Sequence, residues 1–202
     1  MSYKTVAKAH TLEQVIKGSR FIARVQQIES VEAFVAMLAE AKSDYSDASH
    51  HCYAYKLLPA MRFSDDGEPG GTAGRPMLEV LEKRELDHLG AVITRYFGGT
   101  RLGAGGLVRA YSGTLAKAID EAGELLVKDR TTVVFEVPFD QMDSVHRFLA
   151  TWPALQKDEM TYSAKGMRLT LSLICEDRET FEEALTELSR GQLTWLSENS
   201  SE

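Results

Sequence analysis

At 202 residues, with 44% hydrophobic and 26% charged residues, the chain has the composition of a globular protein of one large domain or two small ones. Two widely separated cysteines, Cys52 and Cys175, exclude a disulfide or zinc framework, and no run approaches the roughly 20 apolar residues needed to span a bilayer. The net charge of −7 lies in the last third, because residues 1–128 balance 16 Lys/Arg against 16 Asp/Glu while residues 129–202 set 7 against 14. That excludes indiscriminate coating of nucleic acid, but not a local contact through grouped arginines.

MSYKTVAKAH lacks the apolar core of a signal peptide, so a cytoplasmic protein without membrane contact is expected. SRFIARVQQI (19–28) reads as a strand. A helix follows, with Val31, Phe34, Val35 and Leu38 at helical spacing and Ser30 as N-cap. HHCYAYKLL (50–58) is strand-like, and MRFSDDGEPGG runs from a short strand into a turn cluster. A helix is expected within Thr72–Arg84, regular from Pro76, and LGAVITRYF (89–97) has the continuous apolar character of a buried strand. Leu107, Tyr111, Leu115, Ala118 and Ala122 then mark one face of a long helix ending near Gly123.

The charge shift and the KDRT stretch place a domain boundary near residue 128, giving domains 1–128 and 129–202. Beyond it come a strand at TVVFEV and a helix on Met142, Val145, Leu149 and Trp152. A strand pair follows, in which Met167, Leu169, Leu171 and Leu173 alternate with polar residues. A second helix on Phe181, Ala184, Leu185 and Leu188, then a last strand in QLTWLS, complete a β-α-β-β-α-β order of ferredoxin-like type. The tail SENSSE carries no pattern of an ordered element.

Residues 95–111, RYFGGTRLGAGGLVRAY, hold five glycines and three arginines. A phosphate-binding P-loop fails here, because Ala104 and Gly105 stand where Lys and Ser/Thr are needed. The dinucleotide pattern fails because Val108 replaces the third glycine. What survives is a strand–turn–helix whose N-terminal amides suit an anion, with Gly98, Gly99, Gly103, Gly105 and Gly106 opening the backbone. Arg95, Arg101, Arg109 and Arg75 would supply charge. Turning and close packing are the plainer use of the same glycines.

SDDGEPGGTAGRP (64–76) offers a second patch. Asp65, Asp66 and Glu68 suit a magnesium ion by residue type, yet D-D-G-E-P is also ordinary turn chemistry, and the stretch lacks the alternating ligands of a calcium loop. Thr72 to Gly74 could expose further amides. His50 and His51 adjoin Cys52, but neighbours in a strand face opposite sides and no second cluster completes a tetrahedral metal set; one of the two histidines could still join Asp65, Asp66 and Glu68 in this second patch. No catalytic residue, metal or cofactor is assigned. Tyr53, Tyr55, Tyr96, Phe97 and Tyr111 are either base-stacking or core aromatics.

Taken together, SRFIA, HHCYAYKL, FSDDGEPGGTAGRPML and TRYFGGTRLGAGGLVRAY resemble the IMPACT/YigZ family across roughly residues 15 to 125. Gly70 and Ala104 are small departures from its pattern. The resemblance implies an α+β protein, with a first domain similar to domain 2 of ribosomal protein S5 and a second similar to the last domain of elongation factor G. Eukaryotic members act in translational control through a protein partner. That role goes with an RWD domain this sequence does not show, and it is not carried over. The arginine-flanked glycine turn and the resemblance together lead to the expectation of a non-enzymatic, translation-associated protein contacting RNA or the ribosome, and the acidity of the second domain suits a protein partner. Two alternatives stay open: a small-molecule phosphotransferase or hydrolase on the two turns, and a pure protein-interaction module.

Overall fold

The computed structural model describes residues 2–197, and the expectation for the tail SENSSE lies outside them beyond Ser197. The chain divides into two compact units, Ser2–Val127 and the part from Lys128 onward. Both mix helix and sheet, so the protein is of the α+β class.

The first unit is built on a five-stranded antiparallel sheet of β2 (His10–Ile16), β3 (Ser19–Gln27), β4 (His50–Leu57), β5 (Ala60–Ser64) and β6 (Leu89–Tyr96), in the order β2-β3-β6-β4-β5. Strand β6 is central. All of its residues but Tyr96 are buried, which explains its unbroken apolar sequence: both faces are covered. On one face Phe34, Met37 and Ala41 of α1 (Val31–Asp44) pack with Ile28, Tyr55 and Val92. On the other, α2 (Gly74–Lys83) and α3 (Ala104–Ala122) bury Met77, Leu81, Leu107, Tyr111 and Leu115 against Phe21, Cys52, Ala91 and Ile93. Ser30 caps α1 by accepting a hydrogen bond from Ala33 N at 3.1 Å. Helix α2 starts at Gly74, two residues before the expected Pro76.

A small antiparallel ribbon joins β1 (Tyr3–Val6) to β7 (Glu124–Val127), directly after Gly123 ends α3 with φ 74°. Strands β1, β2 and β7 have no counterpart among the sequence expectations. Their apolar residues do not follow an inside–outside alternation: Val15, Leu125 and Leu126 all face solvent.

The second unit runs β8 (Arg130–Pro138), α4 (Met142–Thr151), β9 (Gln156–Tyr162), β10 (Gly166–Ile174), α5 (Arg178–Leu188) and β11 (Thr194–Leu196). Its antiparallel sheet has the order β11-β8-β10-β9, so β10 lies between β8 and β9, the split β-α-β arrangement. The alternating Met167, Leu169, Leu171 and Leu173 point into a core with Phe135, Val145, Leu149, Phe181 and Leu185. No helix among the described residues is long and apolar enough to cross a membrane.

Candidate functional site

The acidic turn that follows β5 is a bonded structural device. Both oxygens of the Asp65 carboxylate are engaged: Oδ1 accepts from Ala73 N (2.9 Å) and Gly74 N (2.8 Å), and Oδ2 from Gly71 N (2.8 Å). Ala73, at the head of α2, offers no side-chain cap, so Asp65 closes that helix start from a distance. Asp66 Oδ2 accepts from His51 N at 2.6 Å, and its carbonyl oxygen lies 2.8 Å from His50 Nδ1. The amides near Thr72–Gly74 are therefore taken by the chain's own carboxylate.

Glu68 completes the turn and carries it inward. Its Oε1 meets Arg95 Nη1 at 2.5 Å and accepts from the Tyr111 hydroxyl at 2.8 Å, with His50 Nε2 at 3.9 Å. Arg95 Nη2 donates to Ser19 Oγ (3.1 Å), which also accepts from Gly98 N (3.1 Å). The guanidinium is 5.3 Å from the Phe21 ring centroid and 5.7 Å from that of Phe97. This corrects the reading of Arg95 as a phosphate-holding arginine: it is 4% exposed, and its charge is spent on Glu68. The signal was present in the strand period, since Leu89, Ala91, Ile93 and Arg95 share one inward face.

Catalytic use of this cluster is opposed by its own electrostatics. Burial pushes the Cys52 thiol up to about 12, so it stays protonated and non-nucleophilic at neutral pH. Burial, then Cys52 and Glu68, raise the Tyr111 hydroxyl as well. His51 projects to the opposite face from Cys52, with Nδ1 3.0 Å from Thr94 Oγ1, and burial lowers its imidazole below the ordinary value. Among the described residues no three His, Cys, Asp or Glu side chains are grouped to hold a metal ion. The aromatics divide: Tyr55 and Tyr111 are core, Tyr53 packs on Phe34, and the Tyr96 hydroxyl donates to Asp47 at 2.7 Å. Phe97 is 51% exposed.

The glycines divide too. A Cβ on Gly98 would stand 1.9 Å from the Gly18 carbonyl, so this position serves backbone packing, and Gly106 lies close over Leu102. Gly99 (φ 83°) and Gly103 (φ 73°) have open space where a side chain would be. Gly103 heads α3 without a side-chain cap, its carbonyl taking the Leu107 amide at 2.9 Å. The amides of Ala104, Gly105 and Gly106 thus lack an intrahelical partner on an accessible surface. Arg109 reaches back along the first turn, its Nη1 3.7 Å from the Cβ position of Gly105. Among the described residues neither Arg101 nor Arg109 makes an ion pair or side-chain hydrogen bond. Arg75 instead sits on α2, bonded to Glu79 at 3.2 Å.

The sequence reading missed Ser19, the shared acceptor, and the Lys17–Gly18 turn that abuts Gly98 and sets an exposed Lys17 beside the glycine loop. Gly18, with φ 82°, was the available clue to a tight hairpin there.

The fold and site define a two-unit α+β protein in which an acidic turn and a glycine-rich turn are joined by a buried ion pair, leaving one helix start capped and the other open. Residues 17–119 match the model of the Impact N-terminal domain. The chain belongs to the IMPACT family. It is 40% identical over 183 residues to an IMPACT family member of Thermus thermophilus, covering 90% of this chain and 99% of that one. It is 36% identical over 196 residues to IMPACT family member YvyE of Bacillus subtilis, covering 95% and 88%. To IMPACT family member YigZ of Escherichia coli it is 32% identical over 193 residues, covering 92% and 93%. A crystal structure described as that of a hypothetical protein superposes with a TM-score of 0.65 at 31% identity, covering 99% of this chain and 98% of that one.

Proposed function

We propose that this protein is a non-enzymatic, cytoplasmic, translation-associated factor that contacts RNA, including RNA of the ribosome, through the start of α3. The observation that carries the proposal is the contrast between two glycine-rich helix starts. Helix α2 is closed by Asp65, whereas α3 presents free amides, a partial positive charge and two unpaired arginines, Arg101 and Arg109. These features suit phosphate oxygens, and they read backbone without reading sequence. Gly99, Gly103 and Gly105 keep the approach open. The acidic second unit suits a protein surface better than a polyanion.

A phosphotransferase on the same turns is disfavoured, because Asp65, Asp66 and Glu68 already hold backbone amides and Arg95. A pure interaction module would leave the open amides and free arginines without a use.

The test is a salt titration of a labelled ribosomal RNA fragment binding to the wild type and to R101E/R109E. Loss of two phosphate contacts flattens the slope of log K against log salt by about 1.4. Equal affinity and equal slope for both proteins would remove α3 from the contact.

A further inference from the structure

Phe97 has no structural need for its exposure. It follows Tyr96 at the end of the central strand and is 51% exposed, while the inward-facing residues before it in the strand are buried. Its backbone is held by Ser49 Oγ, which accepts from Phe97 N at 3.2 Å. The ring rests near the guanidinium of the buried Arg95 (5.7 Å), which is itself hydrogen-bonded to Glu68 and Ser19. The next residue, Gly98, is locked against Gly18, and the one after it, Gly99, leaves open space. An exposed aromatic thereby stands on the same short loop that leads to the free amides of α3 and to Arg101.

We infer that Phe97 is a stacking platform for an unpaired nucleobase, and that the site takes single-stranded rather than duplex RNA. The inference rests on the reading of the α3 start as a phosphate contact. A flat hydrophobic ring beside a phosphate-binding edge is the combination that single-strand binders use: charge tracks the backbone, and an aromatic face takes a base without regard to its identity. A duplex keeps its base faces stacked inside the helix and offers the ring nothing. Tyr96 does not share the role, because its hydroxyl is bonded to Asp47 and its ring is covered by Arg20.

The test measures anisotropy of a labelled single strand of about 12 nucleotides, within the site sizes known for single-strand binders, and of the same strand annealed to its complement. The wild type is expected to prefer the single strand. F97A lowers single-strand affinity by about 5- to 140-fold and leaves duplex affinity unchanged, the loss expected for one stacked base. F97W retains binding, and F97L, which keeps apolar bulk without a π face, does not. Thermal unfolding of each variant verifies that the fold is retained. Single-strand affinity untouched in F97A, or restored equally by F97L, overturns the stacking role. If R101E/R109E still weakens binding in that case, the α3 contact stands and only Phe97 falls. Absence of binding to either RNA by the wild type overturns both.

Discussion

Glu68 Oε1 and Arg95 Nη1 stand 2.5 Å apart, with both side chains almost wholly buried, and they join the acidic turn to the end of β6, 27 residues further along the chain. The pair is why the acidic and glycine-rich motifs act as one unit: Glu68 also receives the Tyr111 hydroxyl from α3, and Arg95 reaches Ser19 on β3. Two strands, a helix and the acidic turn therefore meet on one carboxylate and one guanidinium. The glycine loop and the α3 start are set by this interior, not by their own sequence alone.

Removing one partner of such a pair leaves the other charge buried without compensation. R95M and E68L are each expected to lower unfolding free energy by about 3–5 kcal/mol, measured by urea denaturation. The double variant, which removes both charges, is expected to recover much of that loss. An additive double variant would show that the two charges do not compensate one another.

Much of this fold can be read from residue order, where burial imposes a clean period. The unbroken apolar run of β6, the Ser30 cap of α1 and the alternating leucines of β10 each follow from one local rule. Strands β1, β2 and β7 could not be read so, because Val15, Leu125 and Leu126 put apolar side chains into water and blur the period. The site was legible only in outline. Arg95 and Arg101 are the same residue type six positions apart, and what separates them is Glu68, brought from another turn by tertiary pairing. Likewise Asp65 resembles a cation ligand in sequence, until the fold places three amides against it.

Close backbone contact separates the glycines that cannot change from those that can. A Cβ at Gly98 would lie 1.9 Å from the Gly18 carbonyl, and one at Gly74 would lie 2.5 Å from the Ser64 carbonyl oxygen. Neither neighbour is a side chain that can rotate away. G98A and G74A are each expected to cost at least about 1–3 kcal/mol, the usual range for overpacking. Gly70 has open space and no positive φ, so G70A is expected to stay within about 0.5 kcal/mol of wild type. Melting temperatures of the three variants check the order: a G98A protein as stable as G70A would contradict the Gly18 contact.

The two cysteines should differ sharply toward thiol reagents. Cys52 is wholly buried, contacts the Asp65 carbonyl oxygen and the Tyr111 hydroxyl, and is pushed by burial up to about 12, while Cys175 is exposed. The thiolate is the reactive species, and raising the pKa above the ordinary value of 9.0 favours the thiol. Between pH 7 and pH 9, Cys52 therefore remains neutral in the folded protein, whereas an unfolded chain would begin to ionise it over the same range. The sign follows from proton binding: the folded state holds the Cys52 proton more tightly, so this group's contribution to stability is present below its unfolded pKa and declines as pH rises through the folded one. Native protein treated with iodoacetamide at pH 8 is expected to gain one adduct, on Cys175, and protein unfolded in urea to gain two, as counted by intact mass. A native C175S variant labelled at Cys52 as fast as in urea would show that the thiol is neither buried nor held in its neutral form.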